Sequence, residues 1–223
     1  MNLAKLSVLA LVVFCFCVSH AAAQVGKDSG LWEFVQPAAS VESAMVVIRG
    51  DNNGNTGSGC VIAGQQVPEI LTAAHVTDGN QTFTVSFHDG SAKRGVLRRI
   101  DREADVATLQ CQTPEGCSVL EVADDVTEGE EVQGCGFGGG GALRCFKSKV
   151  AAVGEQSLVL FSYAIPGDSG GPVVNSAGKV VGVISGGSIW AKTKLKSVAG
   201  SVHSVTAPVR AGVCSRIKRL VGR

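Results

Sequence analysis

The sequence predicts an all-β protein: two small antiparallel barrels, or a sandwich, followed by a short C-terminal helix. Three observations carry this expectation. Gly fills 29 of 223 positions and charged residues only 17%, a composition that favours short strands and tight turns over long helices. Short β-prone runs recur at close intervals, separated by clusters such as Asp51-Asn52-Asn53-Gly54-Asn55. Helical spacing occurs at the end of the chain, where Val213, Ile217 and Leu220 share one face between basic residues.

The elements follow in order. Lys5 is the only charge in the first 23 residues, residues 6–18 form an almost unbroken apolar run, and Ala21, Ala22 and Ala23 supply the small residues a signal peptidase needs. This pattern predicts a signal peptide over 1–23 and a secreted or periplasmic protein starting at Gln24. The apolar run is shorter than the roughly 20 residues of a spanning helix, so no stable membrane anchor is expected. Residues 24–39 are polar and mixed and read as a mature leader over the surface. The folded domain is expected over 40–223, its first half about 40–123 and its second about 124–223. Strand-like runs in the first half cover 44–49, 59–63, 83–88, 95–100 and 106–111. The acidic stretch 124–131 reads as a connection. Runs at 131–134, 147–153, 158–162, 172–174, 180–185 and 204–209 follow, and the helix is expected over 211–221.

Charge excludes some functions. The net charge of +1 gives no reason to expect a nucleic-acid partner. The distribution is lopsided: no Asp or Glu follows Asp168, while residues 170–223 hold nine Lys and Arg. The reading preferred here is a basic face that balances an acidic one.

Six cysteines lie beyond the signal: Cys60, Cys111, Cys117, Cys135, Cys145 and Cys214. An even count in an exported protein suggests three disulfides. Cys111 with Cys117 and Cys135 with Cys145 are the expected local pairs. Cys60 and Cys214 remain as a long-range link or as two free thiols. The spacings are not those of a zinc site, and no metal or cofactor is expected.

Three segments carry the chemistry: Leu71-Thr72-Ala73-Ala74-His75-Val76, Ala104-Asp105-Val106-Ala107-Thr108-Leu109 and Pro166-Gly167-Asp168-Ser169-Gly170-Gly171-Pro172. Ser169 sits in a glycine-flanked turn that can expose a hydroxyl and gather backbone N–H groups. A serine hydroxyl is a poor nucleophile until a base takes its proton, and a histidine titrates near neutrality. The imidazole needs a carboxylate to fix its tautomer, which makes His75 and Asp105 the candidates. Gly167-Asp168-Ser169-Gly170-Gly171 also fits the nucleophile elbow of α/β-hydrolases, but their acid and histidine follow the serine, and here no acid does.

With these motifs in this order, the chain resembles the chymotrypsin-like (trypsin-like) serine proteases, in the style of the short bacterial and HtrA-like members. The resemblance runs from about Val46 to Leu220. It implies two antiparallel six-stranded β-barrels, with His75 and Asp105 from the first and Ser169 from the second. It implies peptide-bond hydrolysis by Ser169 through an acyl-enzyme, and protein or peptide substrates. It also implies an oxyanion hole from the N–H groups of Gly167 and Ser169, each such donor worth roughly 3 kcal/mol of transition-state stabilisation. The weaker alternatives are a non-catalytic binding protein, or an HtrA-type chaperone-protease, on the same fold.

The resemblance places the primary pocket at Tyr163, six residues before the nucleophile, and at Ser185, Gly186 and Gly187. No carboxylate stands at Tyr163 to meet a Lys or Arg, and no histidine precedes the pocket-wall glycines to meet a Glu. Small or medium uncharged residues are therefore expected before the cut. Departures are also visible. No Ile-Val-Gly-Gly-like activation sequence precedes Val46, so Asp168 should find a partner other than a new terminal amine, such as a backbone N–H. Val76 stands where the family's cysteine partner of Cys60 would be, so that disulfide is not expected. Asn80-Gln81-Thr82 is a glycosylation sequon, meaningful only in a eukaryotic secretory pathway.

Overall fold

The computed structural model describes residues 32–155, 157–162, 164–187 and 207–222. The chain opens with strand β1 (Trp32–Val35) and a short helix α1 (Ala39–Ala44). Six strands then build a closed barrel: β2 (Met45–Gly50), β3 (Thr56–Ile62), β4 (Glu69–Thr72), β5 (Thr82–Phe87), β6 (Ala92–Asp101) and β7 (Val106–Cys111). The order round the barrel is β2-β3-β4-β7-β6-β5, all antiparallel, with Val46 opposite Phe87 where it closes. β5 shows the sequence logic: Phe83, Val85 and Phe87 are buried while Thr84 and Ser86 face water. Each such fully buried Phe or Val contributes roughly 1.5–3 kcal/mol.

The second half contains β8 (Glu131–Gly136), β9 (Arg144–Val153), β10 (Ser157–Ser162), β11 (Pro172–Asn175), β12 (Val180–Gly187) and β13 (Ala207–Val213). Its order is β1-β9-β10-β13-β12-β11-β8, and β8 pairs again with β9, which brings six strands into a ring. β1 is a seventh strand on β9, Phe34 lying opposite Phe146. The all-β expectation and the two six-stranded units are therefore present, and the leader expectation is corrected in part. Residues 32–35 are strand because their backbone pairs with β9 from Ser148 to Cys145.

Helix α2 (Cys214–Val221) closes the described chain. It starts three residues later than its apolar spacing predicts, because residues 211–213 still pair with β12 and β10. Ile217 and Val221 are buried, and the helix touches β6 and β7 of the first barrel as well as β12 and β13. Arg216 reaches Asp101 and Glu103 at 2.9 Å each, Lys218 pairs with Asp124, and Lys179 meets Glu121 at 2.8 Å. These pairs join three of the basic residues after Asp168 to acidic residues between 101 and 124.

One local expectation, the Cys111–Cys117 pair, is overturned, and the sequon asparagine lies in the interior. Asn80, the acceptor of the glycosylation sequon, is buried. Its Oδ1 accepts the Asn52 N–H at 2.9 Å and its Nδ2 donates to Asn53 Oδ1 and to the Asp78 carbonyl. Cys135 and Cys145 form the expected disulfide, facing each other across β8 and β9. Cys111 and Cys117 do not pair. Cys111 ends β7 opposite Gly95, while Cys117 aims its thiol at the Ser43 carbonyl, 3.2 Å away in α1. Cys60 and Cys214 are two buried free thiols, as the second of the two alternatives has it. Burial alone pushes the Cys60 thiol far above its usual value.

Candidate active site

His75 stands in a 3₁₀ turn (Ala74–Thr77) that follows β4. Asp105 lies in the turn between β6 and β7, on the neighbouring edge of the same barrel. It holds a left-handed backbone with φ of 54°, a conformation that Asp tolerates better than most residues at a cost of about 1–3 kcal/mol. The turn brings three of its oxygens to the histidine segment. Oδ2 lies 2.7 Å from His75 Nδ1, Oδ1 accepts the His75 N–H at 2.9 Å, and the Asp105 carbonyl accepts the Ala74 N–H at 3.2 Å. Arg102, a candidate partner by proximity in sequence, pairs instead with Asp78 at 2.6 Å.

The charges follow from this contact. The hydrogen bond that the His75 ring donates to Asp105 raises the His75 pKa above its ordinary 6.5, against the opposing effect of partial burial. Burial pushes the Asp105 carboxyl up. Hydrogen bonds from the His75 ring, the Ser185 hydroxyl and the His75 N–H outweigh it and hold Asp105 below the usual carboxylate range.

Ser169 comes from the second half, in the turn between β10 and β11. Its hydroxyl donates to the Ser185 carbonyl at 3.4 Å, and the Ser185 hydroxyl donates to Asp105 Oδ2. Ser185 thus links the serine and aspartate, which lie on different halves. The backbone docks equally closely. Ser58 of β3 donates its N–H to the Ser169 carbonyl at 2.7 Å and its hydroxyl to the Gly167 carbonyl at 2.7 Å. A Cβ on Gly57 would lie 2.7 Å from Val76 and 2.9 Å from the Ser169 carbonyl, so the serine turn lies against the residue that follows His75.

The turn itself requires glycine twice. Gly167 has φ of +102° and Gly170 +89°, and a Cβ on Gly170 would meet the Ser58 carbonyl at 2.1 Å. Neighbouring N–H groups are spent inside the protein: Asp168 on Ile165, Gly170 on Ile184 and Gly171 on Asp168, at 2.7–3.0 Å. Among the described residues, the N–H groups of Gly167 and Ser169 have no protein acceptor.

Asp168 is buried. Its carboxylate pairs with Arg144 and accepts the Ile165 N–H at 2.9 Å. The backbone N–H expectation is met, and a guanidinium adds to it. Sequence reasoning missed Ser58 and Arg144. Ser58 stands between two glycines and Arg144 opens β9 beside Cys145, and neither position shows its partner in the sequence. Ser185, Gly186 and Gly187 lie on β12. Tyr163, and Lys192, Lys194 and Lys196 beyond β12, fall outside the described residues.

The arrangement defines a class: a glycine-flanked serine turn between two β-units, joined through Ser185 to a histidine–carboxylate pair. A family model, the trypsin-like peptidase domain, matches residues 57–183. The chain belongs to that family, as its His75 and Ser169 motifs led the reading to expect. It is 32% identical over 142 residues to the putative serine protease HhoB of Synechocystis, covering 57% of this chain and 33% of that protein. It is 30% identical over 154 residues to the serine protease Do-like HtrA of Bacillus subtilis, covering 60% and 34%. The chain spans about a third of the length of these curated relatives. Among solved structures, the active form of the Rv3671c protease of M. tuberculosis superposes with a TM-score of 0.66 at 22% identity, covering 82% of each chain. The serine endoprotease from Yersinia pestis gives 0.64 at 18%, covering 84% of this chain and 67% of that one.

Proposed function

We propose that this chain is a serine endopeptidase that cleaves protein or peptide substrates through an acyl-enzyme. One observation carries the reading: His75, Asp105, Ser185 and Ser169 form a continuous chain of hydrogen bonds beside two uncommitted N–H groups. In the reaction Ser169 Oγ attacks the scissile carbonyl while His75 Nε2 takes its proton. The Ser169 hydroxyl leaves the Ser185 carbonyl for His75 as substrate binds, a tightening usual in such sites. Asp105 holds the Nδ1 proton and stabilises the imidazolium. The Gly167 and Ser169 N–H groups receive the oxyanion. His75 then protonates the leaving amine, and water, deprotonated by His75, releases the acyl group.

The internal Arg144–Asp168 pair supports activity without a cleavage that creates a new terminal amine. Residues 1–23 are proposed to direct secretion or periplasmic export. No helix among the described residues is long and apolar enough to cross a membrane. With Tyr163 rather than an acid before the nucleophile turn, cleavage is proposed after small or medium uncharged residues. A buried substrate cation without a partner would cost several kcal/mol.

Fluorophosphonate labelling tests the reading. The chain is expected to be labelled at Ser169, and Ser169→Ala is expected to lose both labelling and peptide hydrolysis with its circular dichroism unchanged. Hydrolysis at full rate by Ser169→Ala would sink the assignment.

A further inference from the structure

Asp105 holds φ of 54°, and among the described residues no other non-glycine residue has a positive φ. Such a conformation persists only where surrounding groups over-determine it. The turn that contains it has four residues, 102–105, closed by the Asp101–Val106 pair where β6 passes into β7. Asp101 folds this turn: its Oδ1 accepts the Glu103 N–H at 3.1 Å and the Ala104 N–H at 3.0 Å. The peptide planes that lead into Asp105 are thereby tied to a carboxylate four positions earlier.

The Asp101 carboxylate is fixed in turn from the other half. Arg216, the third residue of α2, places its Nη2 3.1 Å from Asp101 Oδ1, 2.9 Å from Asp101 Oδ2 and 2.9 Å from Glu103 Oε2. Cys214 and Ile217 beside it are buried and anchor this stretch of helix. A second tie to the same turn, Arg102 with Asp78, has both side chains more than half exposed, so water screens it. The Arg216 and Asp101 side chains are 16% and 19% exposed, and their attraction is screened far less. Stability alone does not account for the arrangement. Among the described residues Arg216 Nε is buried without an acceptor, and a buried donor left unpaired destabilises a fold.

We propose that Arg216 is a positioning residue for the reaction: it grips Asp101 and Glu103, and through the turn they fold it holds Asp105 where its carboxylate meets His75. This rests on the proteolytic reading above and extends it to a helix residue outside the Ser169, His75 and Asp105 constellation. The lever is short. Asp105 reaches His75 Nδ1 at 2.7 Å, the His75 N–H at 2.9 Å and the Ala74 N–H at 3.2 Å, so a tilt of the turn disturbs three contacts together. The charged groups that act on His75 are Asp105 and Asp78, the latter paired with Arg102.

The test compares the parent, Arg216→Met, Arg216→Lys and Ser169→Ala, all in the full chain, with circular dichroism to check the fold. The readouts are kcat and KM on a chromogenic peptide and the midpoint of the acid limb of kcat/KM. Arg216→Met is expected to lose roughly 10- to 100-fold in kcat, the cost of a misplacement of about 1 Å, with KM changed less than about threefold. The midpoint distinguishes two effects of opposite sign. Deleting a cation favours the protonated imidazole and by itself raises the midpoint. A slackened Asp105 withdraws the hydrogen bond that raises the His75 pKa, and so lowers the midpoint towards the ordinary 6.5. A fall is expected. A full kcat for Arg216→Met, or a midpoint that stays or rises, overturns the proposal. Should Arg216→Met fail to fold, Arg216→Lys carries the test. It keeps the charge, so the midpoint has no direct electrostatic component, while its ammonium lacks the reach and planar fork of the guanidinium. It is expected to lose about fivefold in kcat with a lowered midpoint. A full kcat or an unmoved midpoint for it would then overturn the proposal. Ser169→Ala separates the two readings: continued hydrolysis by it sinks the proteolytic assignment, whereas an inactive Ser169→Ala beside an Arg216→Met of full kcat sinks the positioning role alone.

Discussion

Ser185 Oγ donates to Asp105 Oδ2, the same oxygen that lies against His75 Nδ1. A residue of the second half thus completes the hydrogen bonds of a carboxylate in the first. Ser185→Ala removes one donor from the charged form of Asp105. A hydrogen bond to a charged group is worth about 1.5–3 kcal/mol, so kcat/KM is expected to fall roughly 10- to 100-fold. Steady-state hydrolysis of a chromogenic peptide measures it, and a rate equal to that of the parent would show that Asp105 needs no second donor.

The His75–Asp105 contact sets a pH limb. His75 must be neutral to accept a proton, and its pKa stands above the ordinary 6.5. Activity is expected to rise with pH through a midpoint above that value. The stability linkage has the opposite sense: the protonated ring is favoured in the folded state. Its contribution is complete below the unfolded pKa and is lost as pH rises through the folded one. A kcat/KM profile from pH 5 to 9, run for the parent and Asp105→Asn, checks the first statement. A midpoint at or below the unperturbed histidine value in the parent would contradict it.

Reduction of Cys135–Cys145 frees the base of the loop between β8 and β9, next to Arg144. The bridge closes a short loop, so its loss is expected to cost up to about 3 kcal/mol of stability. Activity should decline at temperatures well below the melting point, because the loop is expected to loosen before the core does. Melting curves and peptide hydrolysis with and without a water-soluble phosphine make the comparison, with Cys135→Ser/Cys145→Ser as the non-redox equivalent. Full activity in the double serine variant would detach the loop from catalysis.

Glu69 provides a stability prediction away from the site. Its carboxylate is buried in β4 and is met by Arg99 at 2.7 and 3.0 Å and by Arg98 at 3.5 Å. Arg99→Met leaves that charge with its weaker partner alone and is expected to cost about 3 kcal/mol. Urea unfolding followed by tryptophan fluorescence reads it. A midpoint within error of the parent would mean that Arg98 alone satisfies the carboxylate.

The parts of this molecule legible in sequence are those where sterics demand particular residue types. The Gly167–Gly171 turn was readable because Gly170 packs onto Ser58 with no room for a side chain, and because Gly167 takes a positive φ. Strand alternation exposed β5, and the spacing of Ile217 and Leu220 exposed α2. What stayed hidden depends on long-range pairing. β1 is four residues long and has no period of its own; only the edge of β9 makes it a strand. Arg144 opens β9 after a glycine-rich loop, 24 positions from the carboxylate it pairs with. The Cys111–Cys117 expectation failed for a related reason. Closeness in sequence says nothing of direction, and the Cys117 thiol is turned towards α1.

The burial of Asn80 bears on how the protein can be made. Every polar atom of its side chain is engaged by the 51–55 turn or by Asp78, and a Cβ on Gly50 would lie 2.4 Å from its amide nitrogen. An oligosaccharide has no space there once the barrel has closed. In a yeast or insect secretion host, sugar transfer occurs on the nascent chain and so competes with closure of that turn. Secreted material should divide into an unmodified native pool and a glycan-bearing pool that cannot seat the turn. A bacterial host, or a Thr82→Val chain that removes the sequon and leaves the Asn80 hydrogen bonds in place, avoids the competition.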